Sequence, residues 1–451
     1  MFSHMQQSQN RTDLLQDLIT RAKKAGADAA DALMVESTMF GASWRLGSLE
    51  DIERSETQDL GLRVMVGQQQ AVVSTTDVAP KAFDSLVERV IAMARVAPED
   101  PYCGLADPAL LAEKIADLEL DDGSDPKAEE LVARAQAAED AALAVKGVTN
   151  SGGAGSSFGR AAITLATSDG FAGHYGGSTH SVSCSVLAGE GTEMERDYDY
   201  STARHFSDLE DPTKIGREAG EKAVRRLGAR KVESCQVPII YDPRVSGGLV
   251  GHLAGAISGA SVARGTSFLK DSLDTQLFAQ GIRITDDPLK KRGRGSKPFD
   301  GEGVRTEALT LIDDGRLTTW LLDTSTGKQL GLPSNGRAAR GTGGSPSPST
   351  TNLTLEAGSL SPEELMADIT SGFYVTEMIG MGVNGVTGDY SRGASGFWIE
   401  NGELTFPVSE ITIAGNLKDM FANLTPASDL EFKAATNAPT VRIEGMTLAG
   451  T

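Results

Sequence analysis

Cysteine is scarce: Cys103, Cys184 and Cys235 are the only three, scattered and odd in number. A disulfide framework is therefore excluded and a reducing, cytoplasmic setting is expected. Histidine is also sparse, with five in 451 residues and only His252 beyond residue 205. A catalytic zinc takes about three His, Cys or carboxylate ligands and keeps one position open for water, and the second half offers one histidine, His252, and no cysteine after Cys235 at its start. No apolar run is long enough to cross a bilayer, and the opening MFSHMQQSQNRTD has no apolar signal core, so neither insertion nor secretion is expected. Positive charge is in deficit, 42 Lys and Arg against 62 Asp and Glu, a net −20 at pH 7. That argues against direct contact with nucleic acid, whose affinity rests on cations neutralising phosphates. The basic clusters at 225–230 and 290–297 read as solvated faces. A nucleotide fingerprint, a P-loop and an internal repeat are all missing.

Glycine, by contrast, is abundant at 51 residues, and its most ordered use lies between Asp242 and Lys270. There Gly247, Gly251, Gly255 and Gly259 recur every four residues, and Leu249, Leu253 and Ile257 do the same two positions out of phase. On one continuous helix this makes a bare stripe and an aliphatic stripe on roughly opposite sides. Each helical glycine costs about 1 kcal/mol relative to alanine, so the stripe is expected to pack against another backbone. His252 sits at the border of the two stripes and is expected to be buried and hydrogen-bonded.

Along the chain, Thr12 is a candidate cap for a helix with Leu14, Leu15, Leu18 and Ile19 on one face. Residues 31–77 read as strands. Helical spacing recurs at 81–96, with Phe83, Leu86, Val87, Val90, Ile91 and Ala94 inward, and again at 126–145 and 212–227. Residues 147–187 read as hairpins cut by glycine pairs. In the second half, Asp314-Gly315 and Asn401-Gly402 predict two-residue hairpin turns. GTGGSPSPSTTN at 341–352 is expected to be a mobile loop, and Asn416 with Asp419 resembles a capping box. The fold class expected is α+β in two domains: residues 11–232 an α/β sheet-and-helix domain, residues 233–451 a domain dominated by antiparallel sheet.

Common catalytic arrangements find little purchase. GSSFG places Ser157 in a G-x-S-x-G pattern, but a nucleophile elbow needs a strand before it and a helix after it; a glycine turn is expected instead. His174 and His180 lie six apart in a strand region and are expected to face solvent.

Three longer segments carry a resemblance: VSGGLVGHLAGAISGASVARGTSFL at 245–269, PFDGEGVRTEALTLIDDGRLTTWLLDT at 298–324, and GVTGDYSRGASGFWIENGELTFPVSEITIAGNLKDMF at 385–421. They resemble the TldD/PmbA peptidase family, also called the modulator of DNA gyrase family, in its PmbA (TldE) branch. The resemblance implies a cytoplasmic heterodimer in which a TldD-type subunit carries an HExxxH zinc motif and a cysteine ligand. The resemblance further implies that such an enzyme trims unfolded peptides inside an enclosed cavity, with roles in peptide-antibiotic maturation and antitoxin degradation.

Carried onto this chain, the motif is degenerate. His252 stands at the first histidine position, Leu253 where the glutamate base would be, and Ile257 where the second histidine would be. The last cysteine, Cys235, precedes the motif. Without ligands or base a zinc-bound water is neither held nor activated, so catalytic residues and metal are expected to be none here, with zinc in the TldD-type partner alone. Histidines five apart are about 140° out of phase on a regular helix, so the intact motif needs a local widening that this sequence does not. Thr387, Asp389, Tyr390 and Arg392, together with Trp398 of the hairpin that follows, are candidate contacts to partner or peptide; internal bracing such as an Arg392–Asp389 pair is the alternative. The expected role is a non-catalytic subunit completing a TldD-type peptidase, and in isolation a homodimer imitating the heterodimer. A binding protein acting on a gyrase or toxin system, and a stand-alone hydrolase using another site, are the other two readings.

Overall fold

The computed structural model describes residues 2–450, with side chains from Asn10 onward. Helix α1 (Phe2–Lys24) begins well before Thr12, because residues 2–11 contain neither proline nor glycine and nothing there stops a helix. Three further helices follow, α2 (Phe83–Ala94), α3 (Ala128–Leu143) and α4 (Pro212–Arg225). Strands β1 (Ala29–Arg45), β2 (Ser48–Val66), β3 (Gln69–Thr75), β4 (Val148–Thr167), β5 (Ala172–Ala188) and β6 (Glu195–Ala203) form one antiparallel sheet in the order β3-β2-β1-β4-β5-β6.

Strand alternation decides which layer each residue joins. On β1, Ala30, Ala32 and Met34 face α1 and α2, while Ala42 packs on Leu131 of α3. Farther along the sheet, Val182, Cys184 and Val186 of β5 pack against Ala135 and Ala138 of α3 and Ile215 and Ala219 of α4. The intervening residues of β1, Asp31 and Leu33, point the other way, towards the second half of the chain. There Leu33, Leu165 and Phe171 pack on Phe299. The glycine pairs of residues 147–187 are not turns. Gly153, with φ +104°, occupies a bulge in β4, Gly176 and Gly177 lie mid-strand in β5, and Ser157 is mid-strand in β4, paired with Gly41 and Ser181. A paired strand satisfies its backbone through neighbours distant in sequence, which local glycine content does not reveal.

The second half is built on a sheet that closes on itself. Strand β7 (Cys235–Tyr241) pairs parallel with Ser371–Ile379 and antiparallel with Val441–Ala449. From Ser371–Ile379 the order continues through Asp389–Glu400 to Glu403–Asn416, which pairs back onto Val441–Ala449. Both expected hairpin turns form, with positive φ at Asp314 and Gly315 and at Asn401 and Gly402. Asn416 caps the short helix Leu417–Ala422 by accepting from the Lys418 N–H at 3.0 Å, a single bond rather than a reciprocal box. The 341–352 segment is not free: Ser347-Pro348 pairs with Ala338-Ala339, and Thr351 donates to buried Asp286. Its Thr342 carbonyl lies so close to Gly61 of β2 that a Cβ there would stand 2.1 Å from it.

Candidate functional site

The 242–270 stretch is two helices, not one. Helix α5 (Pro243–Ala256) starts where Asp242 accepts the Arg244 N–H at 2.9 Å, with Pro243 preset for the first turn. It ends because Ile257 and Ser258 leave helical geometry to bridge a distant strand-like segment. The Leu321 N–H donates to the Ile257 carbonyl at 3.0 Å, and the Gly259 N–H donates to the Leu321 carbonyl at 2.8 Å. Gly259 then opens α6 (Gly259–Ala263), where a Cβ would stand 2.8 Å from that same carbonyl.

Only the ends of the glycine stripe therefore meet backbone. Gly247 has the Thr436 carbonyl 3.5 Å from an added Cβ, and Gly259 is tightly enclosed. Gly251 and Gly255, expected to pack, have nothing within 4 Å among the described residues. They form one wall of a cavity of about 350 Å³, shared with His252, Phe268, Val383 and Arg392. The aliphatic stripe behaves as expected: Leu249, Leu253 and Ile257 are almost fully buried against the closed sheet.

His252 looks into this cavity and meets the edge of the Tyr390 ring, with centroids 5.9 Å apart and planes at 78°. The hydrogen bond expected for it is absent among the described residues. Burial, and secondarily the positive charge of Arg392, hold its imidazole below the ordinary range and so neutral. Tyr390 is buried, and desolvation pushes its hydroxyl up.

The other candidates separate into two groups. Tyr390 and Arg392 alternate on the strand Asp389–Glu400 and face His252. Thr387 and Asp389 do not: the Thr387 hydroxyl donates to Asp389 at 2.6 Å, and the Asn416 amide donates to Asp389 at 3.1 Å, bracing the turn. No Arg392–Asp389 pair forms, since residues three apart on a strand face opposite sides. Trp398 stacks on Phe406 away from the cavity.

A cluster that spacing did not reveal lies in the first half. His180, expected to face solvent, is fully buried and hydrogen-bonded through Nε2 to Asp122 at 2.8 Å and Ser124 at 3.1 Å. Both partners use the same nitrogen and Nδ1 has none, so the trio cannot relay a proton as a serine–histidine–acid triad does. His174, six residues away, bonds the Thr164 hydroxyl. The acid and serine come from a loop some sixty residues upstream, which no local pattern signals.

Zinc does not fit this site. His252 is the one ligand-type side chain on the cavity wall, Leu253 and Ile257 point into the core, and no three His, Cys, Asp or Glu converge anywhere among the described residues. A closed sheet, a glycine-walled helix and a cavity lined by one histidine and one arginine make up the candidate site. Models described as PmbA/TldA metallopeptidase domain 1, central domain and C-terminal domain match residues 30–94, 121–227 and 234–450.

The chain belongs to the PmbA/TldD metallopeptidase family, in its PmbA branch. It is 39% identical to Metalloprotease PmbA of Escherichia coli O157:H7 over 94% of this chain and 93% of that one. It is 38% identical to the PmbA homolog of Haemophilus influenzae over 95% and 94%. A crystal structure from Bacteroides thetaiotaomicron, described as a modulator of DNA gyrase, superposes with a TM-score of 0.90 at 27% identity, covering 97% of this chain and 98% of that one. TldE from Thermococcus kodakarensis shares the fold, with a TM-score of 0.85 at 21% identity over 97% and 100%. The first two family segments both contribute to one sheet, because β1 and β4 pair along fourteen residues.

Proposed function

We propose that this chain is the non-catalytic, TldE-type subunit of a cytoplasmic peptidase, pairing with a TldD-type zinc subunit to enclose a cavity in which unfolded peptides are cut. What supports this is the direction each motif position takes. His252 faces the cavity, but Leu253 and Ile257 are sealed in the hydrophobic core, where neither a base nor a second ligand would reach a metal beside His252. Peptidase chemistry then has to come from another chain, and zinc with it.

Exposed Met381 lines the cavity, and Ile379 and Val386, close to it and to Gly385 in sequence, are exposed as well; these offer apolar surface for such a partner. No helix among the described residues is long and apolar enough to cross a membrane. Co-expression with a TldD-type subunit tests the proposal: the two co-purify, and unfolded peptide is cut only when both are present. Chelator-sensitive cleavage by this chain alone, or failure to associate, would overturn it.

A further inference from the structure

Arg392 has no partner. Among the described residues no carboxylate pairs with its guanidinium and no hydrogen bond to it forms, and its Nε is buried without an acceptor. Guanidinium stays charged at any physiological pH, so the half-buried Arg392 presents a permanent positive charge to the cavity. A half-buried arginine with no carboxylate partner stands out in this protein, since acidic residues outnumber basic ones by twenty.

The surroundings add to this. None of the residues lining the 350 Å³ cavity is Asp or Glu; its wall is glycine, apolar side chains, hydroxyls and the two groups His252 and Arg392. Its size lies at the small end of ligand pockets, which run about 300–1,000 Å³. Gly251 and Gly255 keep one side bare, so a ligand's main chain has room to lie against α5. His252 is neutral and adds no second positive charge. One fixed cation in an apolar chamber matches one negative charge, and the guanidinium fork matches the two oxygens of a carboxylate.

We propose that this cavity is a carboxylate-binding site in which Arg392 holds a carboxylate of a short peptide against the bare face of α5. The carboxylate rests on the cavity alone; the choice of a peptide to carry it rests on the proposed role in peptide cleavage. Either the C-terminal carboxylate or an acidic side chain supplies the same two oxygens.

Calorimetry on the full isolated chain tests this without needing the partner subunit, so a failure to pair with a TldD-type chain would not disturb the result. Three probes are compared: acetyl-trialanine with a free C-terminus, its C-terminal amide, and acetyl-Ala-Glu-Ala-amide. At least one of the two carboxylate-bearing probes is expected to bind ten-fold or more tighter than the uncharged amide, and whichever does identifies the source. Arg392→Gln abolishes the difference, and Gly251→Leu, which fills the bare wall, weakens whichever carboxylate probe binds ten-fold or more with Arg392 in place. By proton NMR the His252 ring titrates at higher pH when the carboxylate is bound, because the charge of Arg392 that opposes its protonation has been offset. Equal binding of all three probes, binding of none, or an unchanged preference in Arg392→Gln would overturn the proposal.

Discussion

Arg340 brings its guanidinium to Asp31 across the contact between the two halves of the chain, and Arg63 of β2 meets the same carboxylate from the neighbouring strand at 2.9 Å through Nε. All three side chains are almost wholly buried. Because Asp31 lies on the sheet face opposite the helices, this cluster joins the first sheet to the second half and holds the cavity-bearing part in register with it.

Removing that carboxylate leaves two buried cations facing each other. Asp31→Asn is expected to lower stability by about 3–5 kcal/mol in urea denaturation. Burial alone would raise the Asp31 carboxyl, but Arg63 and Arg340 outweigh it and hold it below its ordinary value. Its stabilisation is therefore present above the unfolded value of 3.8 and lost as pH falls through the lower folded one, so the variant has a flatter acid limb.

Glu302 behaves in the opposite sense. Desolvation, with Asp300 and Asp323 close by, pushes its carboxyl up, against the opposing pull of Arg63 and of its bond to the Thr324 hydroxyl. A raised carboxyl favours folding below its unfolded value of 4.5 and loses that contribution as pH rises through the folded value. Glu302→Gln keeps an acceptor for the Thr324 N–H and hydroxyl, at 2.8 and 2.7 Å, without the charge. Relative to the parent it should gain stability between pH 5 and 8, with a slope of up to about 1.4 kcal/mol per pH unit, read from chemical denaturation across that range.

The glycines of α5 and α6 differ in what they are for. Gly251→Ala meets open space and is expected to stabilise the helix by about 0.5–1 kcal/mol. Gly259→Ala would press a methyl group against the Leu321 carbonyl and Thr326 Oγ1, at 2.8 and 2.7 Å, and is expected to cost about 1–3 kcal/mol. Thermal denaturation of the pair should give shifts of opposite sign.

Restoring the motif should not restore a metal site. In the double variant Leu253→Glu, Ile257→His, both new side chains start from positions at most 1% exposed and aim into the core. We expect a loss of about 4 kcal/mol or more and no stoichiometric zinc by elemental analysis of the purified protein. A folded variant retaining one zinc per chain would show that α5 rotates more freely than its packing implies.

How much was legible in the sequence depends on how local the deciding contact is. The six apolar residues expected inside the second helix are the six that α2 buries, because helical spacing and the hydrophobic effect act within a few turns. The Asn401-Gly402 turn was readable for a like reason: positive φ at both positions is a property of the dipeptide. The end of α5 was not readable, since Leu321, sixty-odd residues on, takes over the hydrogen bonds of Ile257 and Gly259. The burial of His180 was equally hidden, as its partners Asp122 and Ser124 arrive from a loop that has no pattern of its own.

The amino-acid order alone settled the family, the aliphatic stripe of α5 and the missing ligand positions, for each is a matter of which side chain stands where. Tertiary structure alone decided that the middle glycines face a cavity instead of a backbone, and that Arg392, three residues from an aspartate, is left unpaired. A strand turns those two side chains to opposite faces, and only the folding of distant strands around α5 determines which of the two is enclosed with the histidine.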